Sequence, residues 1–381
     1  MVTEHRMFDG PIGEEVASLP LVDHHVHGAL RSDVSRGQFE SMITEAPEGS
    51  SAGTQFDSQV GFAIRRWCSP YLGLPVHATA DDYWQARVSL GNQAVSRRLL
   101  GAAGVSCFLL DTGYLGDAIL GVAEHAAVAG STAKEVVRLE TVAESLLTQV
   151  GSGSEFVTLF PERLTAATAD AVGLKSIVAY RYGFDFAPER PSDGEVRASV
   201  DTLLAREPSN VRIDDPVLLR YLLWCGVDRG LPLQLHTGYG DPDLDLHRAN
   251  PVLLTGWLRQ VEPTRVPIML LHCYPYHREA GYLAQVFDNV YFDVGLGINY
   301  VGAQSRQLVA ESFEVAPFHK QLYSSDAWGP AELHLLGSML WRRAVSDVVG
   351  QWVADGDWSR ADAVRVLGLI GSENATRVYR L

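Results

Sequence analysis

Cysteines and long apolar runs are scarce in this sequence, and each scarcity excludes a class of protein. The 381 residues include four cysteines and no CxxC pair, so a small disulfide-stabilised scaffold is excluded. No apolar run reaches the roughly 18 residues that a membrane helix needs. The first residues mix charges from the start and contain no apolar signal segment. We therefore expect a cytoplasmic protein with reduced thiols and no membrane association.

Basic residues are also few, and lysine is the rarest of them. The sequence has 46 acidic and 31 basic residues, giving a formal net charge of -15, and its lysines are Lys134, Lys175 and Lys320. Nucleic acid and anionic membranes are poor partners for such a chain. We expect a small-molecule substrate, and the sequence leaves homo-oligomerisation open.

The length and the composition favour one folded domain. With 46% hydrophobic and 20% charged residues, the chain has the composition of a globular protein rather than a disordered one. A chain of this size can bury about three quarters of its unfolded surface. We therefore predict that residues 1–381 form a single domain.

Short apolar runs, most of them ending in polar residues, alternate with stretches long enough for a helix. Eight such runs predict a (β/α)8 barrel, that is, an α/β fold of the TIM type. No glycine-rich phosphate loop follows the first run, which disfavours a doubly wound sheet. The runs are LPLVDHHVH, VSCFLLD, EVVRLE, GLKSIVAYR, LPLQLH, PIMLLH, VYFDVG and KQLYSSD, ending at or near His27, Asp111, Glu140, Arg181, His236, His272, Gly295 and Asp326.

The chain is longer than the predicted barrel requires, because such barrels typically have about 250 residues. Residues 31–100 hold much of the excess and are predicted to form a mainly helical insertion after strand 1. The tail, residues 359–381, predicts two short helices broken at Gly371, which we place as a lid on the outside of the fold. The expected architecture is a distorted barrel with this insertion and a helical C-terminal tail.

Two histidines at the end of the first run are candidate metal ligands. Side chains alternate along a strand, so His25 and His27 are predicted to share one face while His24 and Val26 share the other. Two imidazoles on one face can bind the same metal ion. The pair is weak evidence by itself, because HxH also arises by chance.

Further metal-ligand side chains end other predicted strands. His236, His272 and Asp326 each lie at the carboxyl end of a run, where barrel enzymes place their catalytic groups. A lone histidine there is more often an ordinary hydrogen-bonded residue, but a set from several strands favours a metal site. Neutral imidazoles and a carboxylate suit Zn, Mn or Fe, and we predict zinc.

The ordered motifs DHHVH, LPLQLHTGYGD, LLHCYPYHRE, YFDVGLG, SSDAWGP and SENATRVY resemble the amidohydrolase superfamily. The resemblance covers nearly the whole chain. It is nearest to the branch that includes the amidohydrolase-like domain fused to glutamine-synthetase-like domains in some fungal and plant proteins. It implies a distorted (β/α)8 barrel with a catalytic divalent metal.

The resemblance also implies roles for individual residues. It implies that His25, His27, His236 and Asp326 hold the metal. His272 then lies beside the metal and acts on substrate or water. We assign catalytic roles to Asp326, as proton acceptor and donor, and to His272, as hydrogen-bond partner of the substrate carbonyl.

The number of metal ions depends on Lys175, since two-metal members of the superfamily carry a carboxylated lysine or a glutamate at the rim of strand four. If that strand runs to Arg181, then Lys175 lies about 20 Å below the rim at about 3.3 Å per residue. We therefore favour one ion over two. If the strand ends earlier, Lys175 becomes a candidate bridging ligand.

The predicted substrate pocket is built from residues that follow the strand ends. Arg181 is suited to hold a substrate carboxylate, although an ion pair with Glu140 is equally compatible with the sequence. Asp241, Asp243 and Asp245 alternate after His236 and could bind a substrate ammonium group, but solvent-exposed turn chemistry explains them as well. The candidate wall residues, for which packing is the simpler interpretation, are Tyr180, Tyr239, Tyr274 and Trp328.

These features favour a metal-dependent hydrolase of a C–N amide bond in a small carboxylate-bearing substrate, with a γ-glutamyl amide as one candidate. The alternative is a metal-dependent non-oxidative decarboxylase of a small unsaturated or aromatic acid, which would use the same histidines and aspartate. A catalytically silent metal-binding or scaffold protein is a third interpretation. It is disfavoured because none of the expected ligands is missing from the sequence.

Overall fold

The computed structural model describes residue 8, residues 10–47, residue 49, and residues 53–206 and 211–381. The first seven residues of the predicted domain therefore lie outside the described residues. Within the described part of the chain, seven parallel strands pair in sequence order as one curled sheet. They are β1 (Leu21–Val26), β2 (Val105–Asp111), β3 (Thr132–Arg138), β4 (Gly173–Ser176), β5 (Leu233–Thr237), β6 (Ile268–His272) and β7 (Val290–Phe292).

Residues 321–327 close the sheet into a barrel. On one side the Leu322 amide donates to the Phe292 carbonyl of β7 at 3.0 Å. On the other, the His24 amide of β1 donates to the Tyr323 carbonyl at 3.2 Å, and the Asp326 amide donates to the His25 carbonyl at 3.2 Å. The eighth predicted run thus fills the gap between the first and last strands, and the predicted barrel is confirmed.

Helices surround the strands, and most of them connect one strand to the next. They are α1 (Gly13–Ser18), α2 (Arg36–Ser41), α3 (Gln59–Trp67), α4 (Ala80–Leu90), α5 (Asn92–Ala102), α6 (Val122–Ala129), α7 (Leu139–Leu147), α8 (Gly153–Ala167), α9 (Val178–Arg181), α10 (Asp193–Leu204), α11 (Pro216–Arg229), α12 (Thr255–Val261), α13 (His277–Val286), α14 (Gly295–Val301), α15 (Ser305–Ser312), α16 (Ala331–Asp355), α17 (Arg360–Gly368) and α18 (Asn374–Tyr379). None of the helices in the described part of the chain combines the length and the apolar character that crossing a bilayer requires.

Local sequence explains how helix α11 delivers the chain to β5. Asp215 caps the helix by accepting hydrogen bonds from the amides of Val217 and Leu218, and Pro216 occupies the first turn. Gly230 ends the helix with a φ of 70°, a left-handed conformation that costs glycine little. Three residues later β5 begins, and it ends one residue past His236.

The fourth predicted strand is too long. Strand β4 ends at Ser176, and the following VAYR segment is helix α9. The Ser176 hydroxyl and the Ile177 amide both donate to one oxygen of the buried Glu140 carboxylate, at 2.6 and 3.0 Å, which holds the chain in a turn. A short buried helix and a buried strand are equally apolar, so the pattern alone could not separate them. The third run is also shorter than predicted, since Glu140 lies in α7.

The tail does not lie outside the fold as a lid. Helices α17 and α18 are joined by a π-helical turn at Leu369–Glu373, and α18 packs against the inside of the barrel. Ala375, Val378 and Tyr379 join a small apolar cluster with strand residues such as Val22 and Leu109. The strand residues of this cluster alternate with those that pack against the outer helices, so the cluster is the barrel interior. The tail therefore closes the end of the barrel opposite the strand carboxyl ends.

Candidate metal centre

Side chains from the carboxyl ends of β1, β6 and the closing segment, residues 321–327, meet at one point. One carboxylate oxygen of Asp326 lies 3.1 Å from His25 Nε2 and 3.8 Å from His27 Nε2, and the other lies 3.3 Å from His272 Nε2. All four residues are buried. Residues as far apart in the chain as His25 and Asp326 thus converge at the carboxyl end of the strands, as the sequence predicts.

His236 joins this group from β5. Its ring centroid lies 4.8 Å from that of His272. Among the described residues, His236 Nε2 and both ring nitrogens of His272 are buried with no hydrogen-bond partner. Buried polar atoms are normally paired, so unpaired nitrogens beside a carboxylate fit a bound cation. The donor set of imidazoles and one carboxylate also fits a divalent zinc-type ion.

Hydrogen bonds fix which ring nitrogens face the centre. His25 Nδ1 lies 2.8 Å from the side-chain oxygen of Gln234, and His27 Nδ1 lies 3.0 Å from the Asp111 carbonyl. Both partners are acceptors, so each Nδ1 carries the hydrogen and donates it. Each Nε2 then carries no hydrogen and lies near Asp326, which is the form that ligates a metal, although the Lys175 ammonium group also lies 3.1 Å from His25 Nε2.

Burial also keeps the histidines uncharged. It lowers the pKa of His27 to about 4, and it lowers the pKa values of His25, His236 and His272 well below their ordinary range. Desolvation is the main cause in each case, because a charged imidazole loses its hydration. Neutral imidazoles can bind a metal without first releasing a proton. Burial raises the pKa of Asp326, whereas Lys175 acts in the opposite direction.

Two of the central residues have unusual backbones. His272 has a φ of 68° and Asp326 a φ of 47°, in the left-handed region that non-glycine residues seldom occupy. Asp23 holds the Asp326 turn, since its two carboxylate oxygens accept from the Ser325 amide at 3.0 Å and the Ser325 hydroxyl at 2.5 Å. Such conformations cost about 1–3 kcal/mol and occur where side chains must be aimed at a functional site.

Lys175 lies in the metal centre, whereas the longer strand predicted from the sequence would place it about 20 Å below the rim. Because β4 ends at Ser176, Lys175 is the penultimate residue of the strand, and its Nζ lies 3.1 Å from His25 Nε2. Burial lowers the pKa of Lys175 to about 8, since the ammonium group loses its hydration, although Asp111 and Asp326 oppose that change. The distance of Lys175 from the rim, on which the prediction of one ion is based, is thus wrong.

Asp111 also belongs to the site, although no role is predicted for it from the sequence. Asp111 ends β2, and His25, His27 and Asp111 form a second group whose ligand atoms are close enough to hold an ion. However, Arg138 Nη2 and Nε donate to one oxygen of this carboxylate at 2.6 and 3.1 Å. The rule that strand ends carry function could have identified Asp111, because the second predicted run ends there.

A cavity of about 290 Å³ opens onto the centre, and three of the predicted pocket residues lie in its wall. The Tyr180 ring lies 4.3 Å from the His236 ring. Arg181 forms an ion pair with Glu144 at 3.0 Å rather than with Glu140, and its Nε has no partner among the described residues. The cavity is lined by His27, Glu45, Tyr114, Arg138, Lys175, Ile177, Tyr180, Arg181, Arg212, His236, Asp241, Asp243, His272, Leu296, Asp326 and Trp328.

The other two predicted tyrosines do not line this cavity. The Tyr239 and Tyr274 rings lie edge to face with their centroids 6.3 Å apart, and the Tyr274 ring lies parallel to the His277 ring at the same separation. Tyr274 lines a separate surface groove instead. Their positions soon after His236 and His272 suggested a wall role, but neither side chain is among the residues that line the cavity.

The wall also contains residues that no sequence signal indicated. Glu45 comes from the insertion after β1, and burial raises its pKa. Tyr114 follows β2 and lies 5.0 Å from the His27 ring and 5.5 Å from the Trp328 ring. Only the folding of the insertion over the barrel brings Glu45 to the site. In the loop after β5, Asp241 and Asp243 line the cavity, whereas Asp245 is not among its lining residues.

Sequence comparison gives two matches. The family model described as amidohydrolase matches residues 105–381. Protein fluG of Emericella nidulans is 30% identical over 403 aligned residues, which cover 95% of this chain and 46% of that protein. The chain therefore spans about half the length of this relative.

Solved structures share the fold. A protein from Lactobacillus casei ATCC 334, provisionally described as a metal-dependent hydrolase, is 27% identical, with a TM-score of 0.87 and 98% of each chain covered. The uronate isomerase of Bacillus halodurans C-125 is 14% identical, with a TM-score of 0.65 over 96% of this chain and 94% of that one. At the latter identity the likeness concerns the fold alone.

Proposed function

The chain belongs to the amidohydrolase family, and from this premise we propose that it is a metal-dependent hydrolase that cleaves a C–N amide bond of a small, carboxylate-bearing substrate. The observation that carries the proposal is the convergence of His25, His27 and His272 on Asp326. His236 lies beside His272, and buried ring nitrogens of these two histidines have no hydrogen-bond partner among the described residues. A cavity of about 290 Å³ beside them has room for a small substrate.

His25, His27, His236 and Asp326 would hold the metal ion, and zinc suits this nitrogen-rich set best, with manganese and iron as alternatives. When bound, the ion supplies a Lewis acid and lowers the pKa of water toward about 7. The protein's own part is to keep the imidazoles neutral through burial and to aim them through Gln234 and the Asp111 carbonyl.

We favour one ion per chain. The second candidate group shares His25 and His27 with the first, and its carboxylate, Asp111, is already bound by Arg138. Metal analysis of the purified chain should then give one equivalent. Two equivalents, with fewer than two in Lys175→Met, would instead identify Lys175 as the bridging ligand and overturn the single-ion assignment.

Proton transfer falls to Asp326 and carbonyl binding to His272. One Asp326 oxygen accepts a proton from the attacking water and passes it to the leaving amine nitrogen, as a general base and then a general acid. His272 lies 3.3 Å from that carboxylate and can donate a hydrogen bond to the substrate oxygen as negative charge develops there.

The charges of the cavity wall support the proposed substrate class. Arg181 lines the cavity and its Nε has no partner among the described residues, so its guanidinium group can bind a substrate carboxylate. Glu45 and Asp241 also line this cavity and can bind an ammonium group. A γ-glutamyl amide carries both groups as well as a scissile amide.

Product analysis tests the reaction. The metal-loaded enzyme should release amine from γ-glutamyl amides and no CO2 from aromatic or enoic carboxylates. Release of CO2 without amine would identify a decarboxylase and refute the hydrolase. A loss of amine release after chelation, restored by zinc, would tie the reaction to the metal.

A further inference from the structure

A buried chain of hydrogen bonds links the last helix of the protein to a metal-ligating histidine. The Tyr379 hydroxyl of α18 lies 2.8 Å from Gln234 Nε2 and 3.0 Å from His24 Nδ1. The oxygen of the same Gln234 amide lies 2.8 Å from His25 Nδ1. Tyr379 thus reaches His25 through a single intervening side chain, from the opposite end of the barrel.

Each donor in this chain has a matching acceptor. Gln234 Nε2 uses one hydrogen on the His24 carbonyl, at 2.7 Å, and the other on the Tyr379 hydroxyl. The hydroxyl then donates to His24 Nδ1, and His24 Nε2 donates to Asp293 at 3.0 Å. The second Asp293 oxygen accepts from the His272 amide at 3.0 Å, which connects the network to a second active-site residue.

The network has no access to water that could replace its members. His24, Gln234 and Asp293 have no exposed surface, and Tyr379 is 3% exposed. Removing the Tyr379 hydroxyl would leave a Gln234 N–H and His24 Nδ1 unpaired in the barrel interior. Such orphaned groups cost free energy until the side chains shift to new partners. A shift of the Gln234 amide would release the His25 ring from its present orientation.

We propose that Tyr379 is a positioning residue for the metal centre and acts by holding the Gln234 amide that orients His25. This inference rests on the proposed metal centre but not on the proposed substrate. The C-terminal helix then contributes to the metal centre, because its Tyr379 holds the Gln234 amide that orients His25. Outer partners of metal-ligating histidines commonly change metal affinity by about 10–100-fold.

Metal binding to the apoprotein tests the proposal without reference to substrate. Tyr379→Phe should weaken Co²⁺ and Zn²⁺ binding, measured by competition with a chromophoric chelator, by about tenfold. It should also alter the visible absorption of the Co²⁺ protein, which reports ligand geometry. Tyr323→Phe is the matched control. Tyr323 is equally buried, its ring lies 5.4 Å from Trp341 on the helix side, and its hydroxyl has no partner among the described residues.

A double-mutant cycle distinguishes positioning from general loosening. If Tyr379 acts through Gln234, then Gln234→Met should weaken binding at least as much, and adding Tyr379→Phe to it should cause little further loss. Should Tyr379→Phe fail to fold, Gln234→Met alone tests the same link, and unchanged metal affinity in it overturns the proposal. Unchanged affinity and spectrum in a folded Tyr379→Phe, or an equal loss in Tyr323→Phe, also overturns it. A wild-type chain that binds no metal would instead refute the proposed function.

Discussion

At the scale of single residues, the site depends on ionisable groups that are kept from water. Asp326 lies within 3.3 Å of two imidazoles, and burial raises its pKa. The imidazoles cannot hold a positive charge there, because burial lowers their pKa values. This combination places a carboxylate beside imidazoles that remain neutral, which is the donor set that a divalent cation binds.

Asp326→Asn tests the proton-transfer role. The amide keeps the shape of the carboxylate and one oxygen ligand but is a far weaker base. We expect kcat to fall by at least about 10²-fold with the metal retained, as for other lost general bases. Turnover and metal content should be measured on the same sample, with Asp347→Asn on the outer surface of α16 as control. Undiminished turnover with metal bound would remove Asp326 from the mechanism.

Arg181→Lys tests carboxylate recognition. Lysine keeps the charge but loses the planar fork of donors. Losing one charged hydrogen bond costs about 2 kcal/mol, so kcat/KM for a carboxylate substrate should fall about 30-fold. The same amide with its carboxylate converted to a carboxamide serves as control, and its kcat/KM should differ little between the two proteins. An equal loss for both substrates would show that Arg181 acts on structure instead.

The buried histidines His125 and His334 should make the folded protein less stable in acid. Their rings lie 5.2 Å apart in the core, and burial lowers their pKa values to about 3 and about 4. In the unfolded chain the histidine pKa values are near 6.5, so between about pH 4 and pH 6.5 the unfolded chain binds more protons than the folded one. The free energy of unfolding is therefore highest above a pH of about 6.5 and falls as the pH drops toward 4. Between pH 6 and pH 5 the free energy of unfolding of His125→Gln should fall by about 1 kcal/mol less than that of the wild type. Denaturant unfolding at both pH values measures it, and an unchanged slope would contradict the prediction.

At the scale of elements, the insertion is fixed to the barrel by buried charges. Arg87 of α4 donates to Glu332 of α16 at 2.8 Å, and the Tyr83 hydroxyl donates to the same oxygen at 3.0 Å. Arg87 and Glu332 are almost completely buried. Since Glu332 lies six residues after Asp326, the contact ties the insertion to the segment that closes the barrel.

Glu332→Gln should therefore destabilise the whole domain. It leaves the Arg87 guanidinium buried without its counter-charge, a change that costs about 3–5 kcal/mol in the free energy of unfolding. Asp228→Asn breaks the pair with Arg190, whose side chains are 54% and 48% exposed, and should cost less than about 1 kcal/mol. Urea unfolding of the two variants gives the comparison. Similar small losses in both would mean that the insertion is held by apolar packing alone.

At the scale of the whole molecule, the two ends of the barrel have different tasks. The carboxyl ends of the strands surround the cavity, whereas the tail helix and the inner apolar cluster fill the opposite end. The hydrogen bonds of Tyr379, Gln234 and His25 run between these ends. Metal binding and folding of the barrel should therefore be thermodynamically linked.

Removing the metal should lower the melting temperature of the entire domain. A ligand at about a thousand times its Kd stabilises the folded state by about 4 kcal/mol. The metal-free chain should thus melt several degrees lower, and zinc should restore the higher temperature. His236→Ala, which removes a ligand, should show a much smaller response. An unchanged melting temperature on adding zinc to the metal-free wild type would favour a silent scaffold.

The sequence alone determined the barrel and the residues of its rim. Apolar runs of strand length that end in histidine or aspartate predict both the strand and its functional end, because parallel strands bring their carboxyl ends to one side. For this reason the sequence alone places His25, His27, His236, His272 and Asp326 together. The α11 helix was equally readable from its Asp cap, its proline and its terminal glycine.

Tertiary structure alone decided what surrounds that rim. Lys175 enters the centre because Glu140 ends β4 early, and Glu45 reaches the cavity only when the insertion folds over the barrel. Tyr379 lies inside rather than outside because its helix packs into the open end of the barrel. Local patterns report periodicity and caps, whereas these positions depend on contacts between segments far apart in the chain, which no local pattern encodes.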